Sequence, residues 1–216
     1  EGPWWGVLWT TPAARFETFR FHTASQDCTT TGTPVHERRP SKADVLWTGQ
    51  PLSIASHQSS TLAAPANSAN SGRVYRYTYD DATETYTLDP GFPVQVNESI
   101  SETLVLDRDS SGRLWVCWTE DGLVRVNCSM GADSVWGEPF ILPSQPARGS
   151  ADDISSLIAF GGNKIGIFWS NEDEHRNRFA VHLDSDPPEV WQESESVSPD
   201  TLSPFMSDDH VNLKTH

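Results

Sequence analysis

The sequence predicts an all-β fold built from a repeated unit of four strands. Helical periodicity is nearly absent, whereas short runs of β-branched and aromatic residues, bounded by Gly, Pro, Asp and Ser, recur along the 216 residues; this pattern is typical of many short antiparallel strands. An acidic residue followed by a short apolar strand returns at intervals of roughly 50 to 60 residues, a self-similarity that indicates a repeat architecture. The four occurrences are Asp44-Val45-Leu46-Trp47, Glu102-Thr103-Leu104-Val105-Leu106, Asp153-Ile154-Ser155-Ser156-Leu157-Ile158 and Asp209-His210-Val211-Asn212-Leu213.

Each unit continues in the same order after its first strand. A glycine-containing turn leads to a second strand, which reads LSIAS from Leu52, LWVCWT from Leu114 and IGIFWS from Ile165. A third strand with alternating inward and outward residues follows, and a polar turn then leads to an aromatic residue that we expect to begin an outer strand, at Tyr86, Trp136 and Trp191. We therefore divide the chain into repeats 44–101, 102–152 and 153–208, with a partial unit at 1–43 and the start of a further inner strand at 209–216.

Four-stranded meanders at a regular period favour the blades of a β-propeller, because stacked sheets need apolar residues on both faces. Nine tryptophans supply large side chains for such packing. A two-sheet sandwich is the alternative, since strand order cannot be read from sequence. Segment 1–43 lacks a first strand and segment 209–216 supplies one, so we expect either a closed four-bladed ring or an incomplete arc of a six- or seven-bladed ring, and we favour the arc.

The charge balance excludes some classes of partner. Acidic residues outnumber basic ones by 30 to 15, giving a formal charge of −15, which argues against binding to nucleic-acid phosphates or anionic membranes. No stretch of about 18 apolar residues is present, and no positively charged apolar leader precedes the first residue. These features predict a secreted or cell-surface protein without membrane insertion.

The junction between the third and fourth strands resembles a known hairpin. Ser129-Met130-Gly131-Ala132-Asp133-Ser134-Val135-Trp136 resembles the Asp-box, or BNR, hairpin of sialidase-like propellers, with Gly131 and Asp133 in exchanged positions. The equivalent segments 80–86 and 184–191 keep only the acidic turn and the aromatic residue. The resemblance implies a sialidase-like repeat over 44–216. It implies no activity, because such hairpins are structural and stabilise a turn with side-chain hydrogen bonds. The arginine triad of a sialidase cannot be placed. The chain also resembles repeat proteins of secreted bacterial origin, which implies no function.

Acidic residues recur where the innermost strand of each unit starts. In a propeller these positions converge at one mouth of the central channel, where ligand sites commonly lie. Carboxylates this close repel each other unless they are neutralised, so Ca²⁺ or a cationic ligand group is predicted there; the alternative is that each acid accepts N–H groups from its own loop. The candidates are Asp44, Glu102, Asp152, Asp153, Asp208, Asp209 and His210.

A second possible calcium motif lies at Asp107-Arg108-Asp109-Ser110-Ser111-Gly112. It resembles the opening of a calcium loop, but Trp118 stands at position twelve, where a bidentate glutamate is needed. A hairpin turn between two strands explains the segment with fewer assumptions.

Covalent modifications have candidates as well. If Cys117 and Cys128 face each other across a hairpin, an oxidising compartment would join them and leave Cys28 unpaired; the alternative is three buried thiols. Asn97 and Asn127 each begin an Asn-x-Ser triplet and are candidates for N-glycosylation.

No catalytic signature is present. The chain lacks G-x-S-x-G, H-E-x-x-H and phosphate-binding glycine loops. We therefore predict a non-enzymatic extracellular propeller that binds a glycan, a protein or another copy of itself, and an unfinished blade would leave an edge for such pairing. The alternative is a glycan-cleaving hydrolase with two acids at the channel mouth. Trp4, Trp5, Trp9 and Trp47 are candidates for stacking on sugars, although packing within the blades is expected for most tryptophans.

Overall fold

The structure is a computed structural model. It describes residues 4–10, 16–22, 33–36, 40–47, 51–58, 71–80, 82–83, 85–99, 101, 103–143, 145, 148–150, 153–197, 211 and 213.

The described part of the chain is all-β, with sixteen strands and no helix. The first sheet contains β1 (Trp4–Thr10), β2 (Phe16–His22) and β3 (Thr33–His36). The second contains β4 (Pro40–Trp47), β5 (Leu52–Gln58), β6 (Gly72–Asp80) and β7 (Thr85–Leu88), with β8 (Val94–Gln95) also paired to β6. The third contains β9 (Val105–Arg108), β10 (Leu114–Glu120), β11 (Leu123–Cys128) and β12 (Phe140–Ile141). The fourth contains β13 (Ser155–Phe160), β14 (Lys164–Asn171), β15 (Arg176–Leu183) and β16 (Glu195–Ser196).

Each sheet is an antiparallel meander in which strands follow one another in chain order. The predicted all-β fold of four-stranded antiparallel units is thus confirmed, and the strand order is not the Greek key typical of a sandwich. The described residues do not form a closed ring.

Strand β10 shows how the sheets stack. All six residues from Leu114 to Thr119 are buried, although successive side chains of a strand point to opposite faces. Leu114, Val116 and Trp118 pack in one apolar cluster with residues of the second sheet. Trp115 and Cys117 pack in another cluster with residues of the fourth sheet. Covering both faces requires a sheet on each side, and each large apolar side chain so buried contributes about 1.5–3 kcal/mol.

Side-chain oxygens link the innermost strands of neighbouring sheets. Asp44 Oδ2 in β4 accepts the backbone N–H of Leu106 in β9 at 3.0 Å. Asp107 Oδ2 in β9 accepts the N–H of Ala159 in β13 at 2.7 Å. Ser156 Oγ in β13 accepts the N–H of Leu213 at 3.0 Å. Because these strands share no backbone ladder with the next sheet, side chains provide the acceptors that buried N–H groups require.

The side of β4 that faces away from the third sheet carries an uncovered apolar strip, formed by Val45 and Trp47. Val45, Leu106 and Leu157 occupy equivalent positions in their units. They pair with Ile54, Val116 and Ile167, each of which is the third residue of the second-strand segments LSIAS, LWVCWT and IGIFWS. Leu106 and Leu157 are 3% and 2% exposed, whereas Val45 is 37% and Trp47 38% exposed. No neighbouring inner strand covers this strip among the described residues.

The turn between β9 and β10 is built around the carboxylate of Asp109. Its Oδ1 accepts hydrogen bonds from Ser111 N, Ser111 Oγ and Arg113 N at 2.9, 2.7 and 2.9 Å. Its Oδ2 accepts one from Trp115 Nε1 at 2.8 Å. Burial alone would raise the pKa of Asp109, but these hydrogen bonds outweigh it and hold the pKa below its usual value. Protein donors occupy both oxygens, as in the hairpin-turn interpretation of this segment.

The two-residue turn between β10 and β11 contacts the segment that follows β12. Asp121 and Gly122 have φ of 51° and 69°, the left-handed pair typical of a type I′ hairpin. Gly149 N and Gln145 Nε2 donate to Gly122 O at 2.8 and 3.0 Å. A Cβ on Gly122 would collide with the backbone carbonyl of Gly149, so the close approach requires glycine.

We predict that Asp109→Asn lowers the free energy of unfolding by about 1–3 kcal/mol, because an amide group cannot accept all four hydrogen bonds. Since the folded-state pKa of Asp109 is lowered, this stabilisation should be complete above the unfolded-state pKa of about 3.9 and lost as pH falls through the folded-state pKa. Urea denaturation at several pH values measures it. Asp121→Asn changes an exposed carboxylate in a turn and is the matched control; equal stability of the two variants at neutral pH would contradict the prediction.

We predict that Gly122→Ala destabilises the protein by about 1–3 kcal/mol more than Gly162→Ala does, because of overpacking. Both glycines have positive φ, but a Cβ on Gly162 would meet no atom within 4 Å. The difference in their thermal unfolding therefore isolates the contact with Gly149. Equal losses in both variants would show that backbone strain alone is responsible.

Candidate functional site

Two of the seven acidic-mouth candidates fall within the described residues, and both bind backbone N–H groups. Asp44 links β4 to β9 as described above. Asp153 is 2% exposed; its Oδ2 accepts from Ser150 N at 2.7 Å and its Oδ1 from Glu172 N at 3.0 Å. Asp153 thus ties its own loop to the turn between β14 and β15, whereas Asp44 reaches the next sheet. The other candidates lie outside the described residues: Glu102, Asp152, Asp208, Asp209 and His210.

Within the described part of the chain, no group of three or more His, Cys, Asp or Glu residues could hold a metal ion. The predicted calcium site therefore stays a prediction that depends on the five mouth residues not described.

Cys117 and Cys128 are free and buried, so the structure does not contain the predicted disulfide. The hairpin register explains why: Cys117 lies opposite Val126 and Cys128 opposite Trp115, which offsets the two cysteines by two residues. Burial raises the pKa of the Cys117 thiol to about 12 and that of Cys128 to about 11, which keeps both protonated and unreactive at neutral pH. Cys28 lies outside the described residues.

The two glycosylation candidates are buried as well. Asn97 and Asn127 are each 2% exposed. Asn97 Oδ1 accepts the N–H of Gly72, and Asn127 Nδ2 donates to Val96 O at 3.2 Å. The folded protein has no space for a glycan on either side chain. The Asn97 side chain instead stabilises the second sheet, and the Asn127 side chain connects the third sheet to the second.

A cleft of about 660 Å³ opens between the second and third sheets. The second sheet contributes the segment 94–99, which begins with β8. The third sheet contributes the end of β10, the start of β11 and the segment that leads to β12. The lining residues from the third sheet are Trp118, Glu120, Arg125, Asn127, Ser134, Trp136, Gly137, Glu138 and Pro139.

The type I′ turn sets the register of the polar residues in this cleft. It places Trp118 opposite Arg125 in the β10–β11 ladder, and Glu120 lies on the same face as Trp118 because strand side chains alternate. Glu120 Oε2 accepts a hydrogen bond from Trp118 Nε1 at 3.1 Å and forms an ion pair with Arg125 Nε at 3.1 Å. Trp118 is 1% exposed, so this triad is fixed at the base of the cleft.

The charges around the cleft are mainly negative. Among the described residues that line the cleft, Arg125 is the only cation, and three carboxylates, those of Glu98, Glu120 and Glu138, accompany it. Glu98 and Glu138 are exposed, whereas Glu120 is held by Arg125. Three acids against one base leave a net charge of −2.

The Asp-box-like hairpin contributes Trp136 to the cleft wall. Ser129 and Trp136 form a β-bridge, and Trp136 Nε1 donates to Asp133 O at 2.8 Å. Asp133 Oδ2 in turn binds Arg76 Nη1 of the second sheet at 3.1 Å and Arg108 Nη2 of the third at 2.7 Å. The hairpin therefore orients Trp136 and clamps the two sheets beside the cleft.

The same indole contact recurs in the fourth sheet, where Trp191 Nε1 donates to Pro188 O at 2.9 Å. In both hairpins the acceptor lies three residues before the tryptophan. The hydrogen bond from the indole N–H to the carbonyl oxygen three residues earlier is thus repeated in a hairpin whose sequence motif is weak.

Sequence reasoning did not single out Glu120, Arg125 or the cleft. The dipeptide Asp121-Gly122 was the available signal, because Asp-Gly between alternating strands predicts a two-residue hairpin and hence the pairing of Trp118 with Arg125. No comparable sequence motif indicates that segment 94–99 lines the cleft, because its position depends on how the second and third sheets stack.

Comparison with known proteins gives structural likeness only. The chain matches no protein-family model and no curated protein. It is similar to the α-L-arabinofuranosidase from Lactobacillus brevis, with a TM-score of 0.56 and 12% identity over 90% of this chain and 70% of that one. It is also similar to the K499G mutant of the NanB sialidase from Streptococcus pneumoniae, with a TM-score of 0.52 and 10% identity over 86% of this chain and 29% of that one.

A fucose-specific lectin from Aleuria aurantia has a TM-score of 0.49 and 13% identity over 91% of this chain and 62% of that one. At these identities the likeness concerns the fold alone. Together with the stacked meanders, the arabinofuranosidase and the sialidase place the chain among all-β proteins with a propeller-like fold. No helix in the described residues is long and apolar enough to span a membrane.

Proposed function

We propose that the chain is an extracellular, non-enzymatic carbohydrate-binding module and that the cleft between the second and third sheets is its binding site. The observation that carries this proposal is a concave space of about 660 Å³ that combines tryptophans with fixed polar groups. Small-molecule sites have volumes of about 300–1,000 Å³ and place a few oriented polar groups on a partly aromatic wall.

The chemistry of the lining suits a sugar. A pyranose ring has an apolar face, which packs on aromatic side chains, and a rim of hydroxyl groups, which both donate and accept hydrogen bonds. Trp136 lines the wall. Arg125 Nε lies 3.1 Å from Glu120 Oε2 as an ion pair without hydrogen-bond geometry. The Nη groups of Arg125 have no other partner among the described residues, so they are available to hydroxyl oxygens. Glu98 and Glu138 supply acceptors at the rim.

Three of the described carboxylates, those of Asp44, Asp153 and Glu120, are poorly suited to a role in hydrolysis. A glycosidase of the usual kind needs two carboxyl groups, roughly 5 to 9.5 Å apart, that flank the scissile bond. Asp44 and Asp153 accept backbone N–H groups, and Glu120 is engaged by Trp118 and Arg125. These three are therefore committed to structural contacts, which agrees with a binding module. Glu98 and Glu138 line the cleft without such contacts, so a hydrolase that uses them is the alternative.

We predict that Arg125→Ala and Trp136→Ala each weaken glycan binding at least tenfold, about 1.4 kcal/mol, because each removes a contact from the cleft. A glycan array followed by calorimetry with the best neutral member measures this. Arg148→Ala is the control, since Arg148 is exposed and bonds only to Asp121 O outside the cleft. The proposal fails if no glycan binds, or if the wild-type chain releases reducing sugar from the bound glycan.

Self-association is a second candidate function, favoured by the apolar strip on β4. Leu106 and Leu157, which match Val45 in the third and fourth sheets, are buried, whereas Val45 and its neighbour on the same face, Trp47, are more than one-third exposed. We propose that an element of a second copy covers this strip. Light scattering should then show a dimer or larger species for the wild type and a monomer for Trp47→Lys. A wild-type chain that stays monomeric at all concentrations would reject it.

A further inference from the structure

We infer that the cleft selects sugars by charge: it accepts neutral sugars, prefers sugars that carry an ammonium group, and excludes sugars that carry a carboxylate. This inference rests on the proposed carbohydrate-binding function and adds the chemical class of the ligand. It is carried by the pairing of Arg125 with Glu120 and by the surplus of carboxylates around them.

An acidic sugar needs a cation that is free to meet its carboxylate, preferably in a bidentate arrangement. No cation other than Arg125 lines the cleft within the described part of the chain, and its Nε is already 3.1 Å from Glu120 Oε2. A ligand carboxylate placed on the remaining Nη groups would lie close to the Glu120 carboxylate, and like charges at that range repel. The Arg125 Nη groups can still donate to neutral hydroxyl groups.

Glu120 cannot easily turn away to release Arg125. Its Oε2 also accepts the indole N–H of Trp118 at 3.1 Å, and the Trp118 side chain is buried in the cluster between the sheets. Losing this acceptor would leave a buried donor unpaired, which is unfavourable. The ion pair is therefore a fixed part of the cleft.

The rim adds a preference for cations. Glu98 and Glu138 are exposed, line the cleft and have no ion-pair partner among the described residues. A ligand ammonium group entering the cleft would meet these carboxylates, and the formal charge of −15 on the whole chain acts in the same direction. Because the rim is exposed to water, this contribution should weaken as salt is added.

The test uses the full chain and three ligands that differ only at one carbon: the best neutral glycan from the array, its 6-amino-6-deoxy derivative and its 6-carboxyl derivative. In about 20 mM salt we expect the carboxyl derivative to bind at least tenfold more weakly than the neutral glycan and the amino derivative at least threefold more tightly. In about 0.5 M salt, where the Debye length is only a few ångströms, both differences should shrink.

Glu120→Gln separates the ion pair from general charge effects. Glutamine keeps an oxygen that can accept from Trp118 Nε1 but no longer neutralises Arg125, so the affinity for the carboxyl derivative relative to that for the neutral glycan should rise about tenfold. Asp173→Asn makes the same charge change at an exposed residue in the β14–β15 turn and should alter neither affinity. Glu98→Gln combined with Glu138→Gln should abolish the preference for the amino derivative.

The possible failures can be told apart. If the wild-type chain binds the carboxyl derivative as well as the neutral glycan, or if Glu120→Gln leaves their ratio unchanged, the charge selection is wrong and the carbohydrate-binding function stands. If no glycan of any charge binds, the proposed function itself fails, and this inference fails with it.

Discussion

The structure depends on the burial of both faces of its central sheets. Strand β10 has six consecutive buried residues, and its two faces belong to two different apolar clusters. A sheet of this kind cannot be stable alone, because half of its apolar side chains would remain in water. The sequence of the third unit therefore requires a sheet packed on each face. The large side chains of Trp115 and Trp118 fill part of the space between the third sheet and its two neighbours.

Stacked sheets create a second requirement along their inner edges. The innermost strands lie side by side without a shared ladder, and their outward N–H groups still need acceptors. Asp44, Asp107 and Ser156 meet this need from one strand to the next. Of the acids that the sequence marks as a ligand ring, Asp44 takes part in this bonding, whereas Asp153 accepts N–H groups of Ser150 and Glu172 within its own sheet.

The cleft is a consequence of the same stacking. It opens between segment 94–99 of the second sheet and the part of the third sheet formed by β10, β11 and the segment that leads to β12. Asp133 holds the two sheets beside this opening through Arg76 and Arg108, while Glu120 and Arg125 neutralise each other inside it. The ion pairs of Asp133, which connect the two sheets, thus lie beside the polar cleft. A ligand in the cleft would contact side chains that the protein already holds in place.

The sequence by itself determined the all-β class and the repetition of a four-strand unit, whereas the order and pairing of the strands came from the structure. Alternation of apolar residues and the glycine turns are local signals, because strand periodicity and turn geometry act over a few residues. The expectation that an aromatic residue begins each last strand holds for Tyr86 in β7 but is wrong for Trp136 and Trp191, which precede β12 and β16. The same local information was sufficient to interpret Asp107 to Gly112 as a hairpin turn, which Asp109 now confirms with four hydrogen bonds.

Only the tertiary structure decided which residues meet between units. Cys117 and Cys128 are on neighbouring strands but two positions out of register, and Asn97 and Asn127 are buried although their triplets look accessible. The pairing of segment 94–99 with Trp118, Glu120 and Arg125 joins residues from two sheets. Such contacts depend on the angle and distance at which sheets stack, and these are fixed by the sum of many side-chain volumes in the interior, which no single motif records.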